Sequence, residues 1–361
     1  MKKWLSLLLC VFLLAGLVAC GTSEDGTDTT SATPVSDTST ASVTNTATDT
    51  GSAATSEEPK VFASAEEVLA ASDHWLGVTD QRHDRLAIYD LANPDWTDPA
   101  AVMWEVSDSA HIHYPAGIKF RHFDEFGGDL LLYCGKVHAG VYRMDTKELI
   151  YYTNQTPTNP HTVELLPNGT FLVGGTQGVA LFAYDLRSGK PNLTAKLLPG
   201  YDVHGVLWDP EYEVLWVAGA HNLQAYAVSG TPAAPKFTLM PSMATDKLPS
   251  GVHDLAPVYG DVEKLWVTTS GGVVQVNKDD MSISKAYGGS KLTGNNKYTP
   301  GVGNFPDGTL FWICPNENME EWTSDELFGY VPYGNEKFKK ITYKQPADAW
   351  YKCRVFCTDY Q

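Results

Sequence analysis

Three short segments set a histidine at the head of an apolar run: Pro160-His161-Thr162-Val163, Val203-His204-Gly205-Val206 and Val252-His253-Asp254-Leu255. Imidazole carries one donor and one acceptor nitrogen when neutral. Three brought together can ligate a divalent metal, with manganese, zinc, iron, copper or nickel suited to them. Three positions after His161 stands Glu164. A carboxylate becomes a general base near neutral pH when burial raises its pKa. Other candidates fall beside turn signals: His83 near Asp80 and Arg82, His111 and His113, His138 near Lys136, Gln177, and His221 next to Asn222. These supply charge and hydrogen bonds for a bound ligand.

Elements must exist to bring such scattered residues together. An apolar run ending in small residues recurs every 40 to 55 residues. Its copies are Leu76-Gly-Val-Thr-Asp80, Leu131-Leu-Tyr-Cys-Gly135, Phe171-Leu-Val-Gly-Gly175, Leu215-Trp-Val-Ala-Gly219, Leu265-Trp-Val-Thr-Thr269 and Phe311-Trp-Ile-Cys-Pro315. Each reads as a buried strand meeting a turn. The histidine segments precede it, with looser copies at Pro115 and Pro300. A third strand follows it, as in Leu181-Phe-Ala-Tyr-Asp185, and a fourth closes the unit, as in Leu193 to Leu198. Four short strands at this period are the signature of a β-propeller blade. The unit at Leu76 to Val106 lacks its first strand, and the C-terminus holds an orphan, Trp350 to Phe356. The expected fold is therefore an all-β, six-bladed propeller, closed by the C-terminal strand joining the N-terminal blade. A capping box at Ser64-Ala-Glu-Glu67 predicts one short helix through Ala71.

In a propeller, the loops entering the innermost strand and those joining the second and third strands share one face. By that rule eight of the ten histidines map to one face, and only His74 and His122 map elsewhere. His161, His204 and His253 belong at the mouth of the central channel. Glu164 and Lys119 lie deeper, with Arg354 near them. Their charges either stabilise one another across the channel or leave Glu164 as a base. Trp216, Trp266 and Trp312 read as packing between blades. Trp322 sits in an acidic insertion, Asn316 to Glu326, where it either covers the site or docks as part of a solvated loop.

The pattern Pro160-His-x-Val-x-x-x-Pro167-x-Gly169 resembles the six-bladed propellers that include NHL-type modules and gluconolactonases. Residues 73 to 361, with the strand Ala349-Trp-Tyr-Lys-Cys-Arg-Val-Phe356, resemble an uncharacterised propeller family of bacterial surface lipoproteins. That resemblance implies a fold and no activity. Three histidines at a channel mouth resemble, in arrangement, the manganese site of oligogalacturonate lyases.

The termini set the expected location. Met1 to Ala19 has Lys2 and Lys3 before an apolar run of 16 residues, too short to span a bilayer. Leu17-Val-Ala-Cys20 resembles the bacterial lipobox, which implies cleavage before Cys20 and lipidation of its sulfur. Residues 20–59 hold 19 Ser or Thr, no Lys or Arg and seven acidic groups. Such a stretch cannot offset chain entropy by burial and reads as a disordered tether. Residues 60–361 form the propeller domain. The net charge of −17 disfavours nucleic acid as a partner. Cys314 either bridges to Cys353 or Cys357, or all these thiols and Cys134 stay free. No dinucleotide, phosphate-loop, zinc-protease or serine-hydrolase motif occurs.

The expectation is thus a monomeric lipoprotein, anchored to the bacterial cell membrane through Cys20 and facing outward. Its histidine-rich face (His83, His113, His138, His221, Arg82, Lys136, Gln177 and Trp322) would bind an extracellular glycan, peptide or partner protein. The alternative is a metal-dependent carbohydrate lyase or hydrolase, with His161, His204 and His253 as ligands and Glu164 as base. A purely structural module is the third reading.

Overall fold

The computed structural model describes residues 61–71, 73–177, 179–199, 202–285, 298–319, 322–334 and 337–360. The chain divides into units Met1–Glu57 and Glu58–Gln361, and all described residues belong to the second. Cys20, the apolar leader and the tether lie outside the described residues. No described helix is long and apolar enough to cross a membrane.

Six antiparallel sheets of four strands make six blades. Blade one holds β1 (Trp75–Asp80), β2 (Arg85–Asp90) and β3 (Val102–Ser107). Blade two holds β4 (Pro115–Phe123), β5 (Gly128–Gly135), β6 (His138–Arg143) and β7 (Leu149–Thr153). Blade three runs β8 (Thr158–Leu165), β9 (Thr170–Gln177), β10 (Val179–Asp185) and β11 (Leu193–Pro199). Blade four runs β12 (Gly205–Asp209), β13 (Val214–Gly219), β14 (Asn222–Thr231) and β15 (Ala234–Thr245). Blade five runs β16 (Val252–Pro257), β17 (Lys264–Thr269), β18 (Gly272–Asn277) and β19 (Ile283–Ser284). Blade six runs β20 (Gly301–Asn304), β21 (Leu310–Ile313), β22 (Glu326–Tyr333) and β23 (Lys337–Lys344).

β24 (Trp350–Val355) takes the innermost place in blade one, pairing Leu76 with Val355 and Asp80 with Trp350. This closes the ring and removes the open edge that would otherwise template aggregation. A polar knot reinforces the seam. Asp80 accepts from Ala349 N at 3.0 Å, and Asp348 accepts from Tyr89 Oη and Trp350 Nε1 at 2.9 Å each. Arg85 donates to both carboxylates.

The core is not central. It is divided into six apolar clusters, one between each pair of neighbouring blades. This is why the second strands read as continuous apolar runs: both faces are buried. Trp216 and Trp266 are buried there as expected, their indole N–H groups donating to Asp209 Oδ2 at 2.9 Å and Asn304 Oδ1 at 2.8 Å. Trp312 is likewise buried. The one α-helix among the described residues, α1 (Ala65–Ala71), sinks Val68 and Leu69 into the cluster between blades six and one. Half of its capping box forms, with Glu67 N donating to Ser64 Oγ at 3.2 Å, while Glu67 Oε2 accepts from Ala63 N, one residue before the cap, at 2.9 Å. Cys134, Cys314, Cys353 and Cys357 are free thiols.

Candidate functional site

The innermost strands all start at one end of the channel, so the residues heading them converge there. His161 lies near the head of β8, His204 immediately precedes β12, and His253 is second in β16. Their rings form a row, with centroids 4.5 Å apart for His161 and His204 and 5.4 Å for His204 and His253. Together with Lys136, Asn159, Asp202, Trp322 and Tyr351 they line a cavity of about 780 Å³.

Two local features hold this wall in place. Gly219 ends β13 where a Cβ would stand 1.3 Å from Asp202 O, so only glycine lets the strand meet the loop carrying His204. Trp322 adopts φ +77, a conformation costly for a bulky residue. Its indole lies 4.6 Å from the His253 ring and 5.0 Å from Tyr298. The loop bearing it is pinned from outside: Arg82 donates to Asn318 O at 3.0 Å, and Asn318 Nδ2 donates to Asp348 O at 2.7 Å.

The histidines are neutral. Burial, then the cation of Lys352, lowers His161 to about 4. The same two causes lower His253 to about 4. Burial and the neighbouring rings hold His204 well below the usual range. His161 Nδ1 donates to Asn159 O at 2.8 Å, which leaves Nε2 as a lone-pair acceptor. His253 Nε2 lies 3.1 Å from Ser270 Oγ. His204 Nδ1 is buried and has no hydrogen-bond partner among the described residues.

Deeper in the channel lie two triads, each one carboxylate with two cations. Glu164 accepts from Lys119 Nζ at 2.8 Å and from Arg121 at 2.8 and 2.7 Å. Asp254 Oδ1 accepts from Lys352 Nζ at 3.1 Å and Arg354 Nη2 at 2.7 Å. The general-base expectation for Glu164 is corrected here. Burial does push its pKa up, but the charges of Arg121 and Lys119 outweigh it and hold the carboxyl at about 2. It is a counter-ion, its oxygens taken by those cations and by the backbone N–H groups of Leu165 and Trp208. Arg354, expected near Glu164 and Lys119, pairs with Asp254. At the far end Tyr360 stacks on Arg121 at 4.5 Å and donates to Leu165 O.

The remaining candidates scatter around this mouth. Lys136 lines the cavity. Arg82 instead clamps the Trp322 loop. His83 turns to Asp80, 2.7 Å away, and borders a separate groove of about 450 Å³ with Arg85 and Trp96. His113 lies 3.1 Å from Asp84, and His111 lies 2.7 Å from Asp108. His138 and His111 both contact the Tyr152 ring. His221 is exposed in the turn before β14. Gln177 ends β9, and its side chain lies outside the described residues. Among the described residues, the ligand atoms of Asp80, His83 and Asp348 come within 4.8 Å of one another; those of His161, His204 and His253 do not form such a group. Arg85 already donates to both the Asp80 and Asp348 carboxylates and offsets one of their two charges. Sequence reasoning missed Arg121, Asp254 and Lys352. The alternation of charge with apolar residues in Lys119-Phe-Arg121 and Lys352-Cys-Arg354 was the available signal.

These features define a six-bladed β-propeller with a polar, imidazole-lined cavity at one mouth of its channel. Residues 126–355 match the family of unknown function DUF6528, and the chain belongs to that family. No curated protein matches it. Among solved structures it is similar to a protein of unknown function from Bacteroides caccae, with 12% identity, TM-score 0.52, and coverage of 78% of this chain and 98% of that one. It is also similar to a chain of a nidogen/laminin complex, with 10% identity, TM-score 0.50, and coverage of 79% and 99%. At such identities the likeness shows the fold alone.

Proposed function

We propose that this protein is a saccharide-binding propeller, tethered to the cell envelope by lipid on Cys20, whose ligand sits in the channel mouth. The observation that carries the reading is the placement of Trp322. A large apolar ring is held at positive φ over a cavity walled by His161, His204 and His253. Backbone strain of this kind persists where it serves a site. An indole face suits the apolar face of a sugar ring, and the free His161 Nε2 suits a hydroxyl donor. Neutral imidazoles add acceptors without charge. The cavity size fits an oligosaccharide better than a folded partner.

A metal at the three histidines is less well supported. Lys352 Nζ lies behind them, 3.3 Å from the carbonyls of both His161 and His253, and opposes a divalent cation. Glu164, held at about 2, offers no base.

The test is an oligosaccharide panel measured by calorimetry, wild type against Trp322→Ala. Binding at micromolar to millimolar Kd, lost in the variant while the melting temperature is kept, supports the reading. A panel that never binds, or binding indifferent to Trp322, overturns it. Stoichiometric metal in untagged protein, lost with His204→Ala, would return the metal-dependent reading.

A further inference from the structure

Counting the charges on the inner strands gives an imbalance that the fold does not need. The six strands around the channel contribute Lys119, Arg121, Lys352 and Arg354 against only Glu164 and Asp254, all buried. Asp209, also on an inner strand, is neutralised by Lys278 at 2.6 Å. With its lysine protonated each triad carries one positive charge in excess; burial lowers Lys119 to about 7 and Lys352 below its usual range, so near neutral pH the excess is partial at Glu164. The chain as a whole has a net charge of −17, so the concentration of cations here runs against its composition.

The imbalance is directed at the cavity. Lys352 Nζ touches the carbonyl oxygens of His161 and His253, two residues of the cavity wall. Lys136 adds a cation at the rim, matched there by Asp202. Arg354, nine-tenths buried, has its Nε donor without a partner among the described residues. Tyr360 covers Arg121 at the far end, which leaves the histidine mouth as the side from which the excess charge is felt. A low-dielectric channel focuses such a field at its opening.

We propose that the ligand at this mouth carries an anionic group, a carboxylate or a phosphate, which the channel cations attract. This rests on the saccharide-binding reading and adds the ligand's charge to it. The anion would dock above Lys352, with Lys136 at the rim, while Trp322 meets the ring.

Four probes on one ring separate the two ideas: glucose, glucosamine, glucuronate and glucose 6-phosphate, each titrated into the full chain by calorimetry. The expected result is that both acids bind at least about tenfold more tightly than glucose, with glucosamine weakest. That preference should shrink between low and high salt, as screening requires. The acids also separate the sources, since a carboxylate-only or phosphate-only preference identifies which anion fits. Trp322→Ala should weaken all probes alike. Lys136→Gln and Lys352→Met should lower only the ratio of acid to neutral affinity. Lys136 is exposed, so its variant remains informative if Lys352→Met fails to fold. Equal binding of glucose and the acids, or preference for glucosamine, overturns the charge inference and leaves saccharide binding standing. A ratio unchanged in Lys136→Gln and in any folded Lys352→Met also overturns it. No binding by any probe or by any member of the oligosaccharide panel sinks both.

Discussion

Replacing Glu164 with Gln tests the account of the channel most directly. The side chain keeps its shape and loses its charge. In the native protein Glu164 Oε2 accepts from Lys119 Nζ, Arg121 Nη2 and, at 3.1 Å, Trp208 N. Oε1 accepts from Arg121 Nε and, at 3.0 Å, Leu165 N. Glutamine has one acceptor oxygen, so its NH2 group must face either two donors or three. The two cations, both almost wholly buried, also lose their counter-charge. Breaking a buried pair by removing one partner costs about 3–5 kcal/mol. At roughly 2 °C per kcal/mol for a domain of this size, the melting temperature should fall by about 6–10 °C. Urea unfolding followed by tryptophan fluorescence would measure the free energy. The double variant Glu164→Gln with Lys119→Met restores the charge of the triad to one and should recover part of the loss. A single variant within about 0.5 kcal/mol of wild type would refute the reasoning, because it would mean the cations do not need this carboxylate.

Acid should weaken the fold through the cavity wall. His161 and His253 titrate near 4, below the usual 6.5, so the unfolded chain binds protons first as pH falls. Their contribution is fully present above about 6.5 and is lost down to about 4, amounting to about 3 kcal/mol for the pair once contact with solvent is allowed for. Urea midpoints across that window should show the slope, and His161→Gln with His253→Gln should flatten it; an unchanged slope counts against the assignment. Gly219→Ala drives a Cβ into Asp202 O and should cost about 1–3 kcal/mol while displacing His204. A variant with normal stability and normal ligand binding would contradict that packing. Asp348→Asn loosens the seam knot and should lower the melting temperature by several degrees, about 1–3 kcal/mol, with little effect on ligand affinity.

The blade pattern was legible because burial on both faces writes an uninterrupted apolar run, and six such runs recur at intervals of 40 to 55 residues. The closing strand was legible by subtraction: blade one had no first strand and Trp350 to Phe356 had no partners. The row of His161, His204 and His253 followed from their common slot. The ion pairing did not follow. Lys352 and Asp254 are 98 residues apart, and a charge on an inner strand can reach several others across a narrow channel. Slot position placed Arg354 near Glu164 but could not show that its partner is Asp254. Nor could spacing show that His83 would turn from the mouth toward Asp80, since the Asp348 carboxylate that helps hold it lies at the far end of the chain.

The seam between β1 and β24 also sets an order on biosynthesis. Residues 75 to 107 emerge before every other blade, yet their sheet lacks its innermost strand until residue 355 has been made. Throughout that interval β1 offers an unpaired edge and the cluster between blades six and one stays open. A chain stopped anywhere before Trp350 keeps that exposed edge permanently. β24 therefore acts as the seal of the ring, and a chain lacking it would present the β1 edge for pairing with another chain.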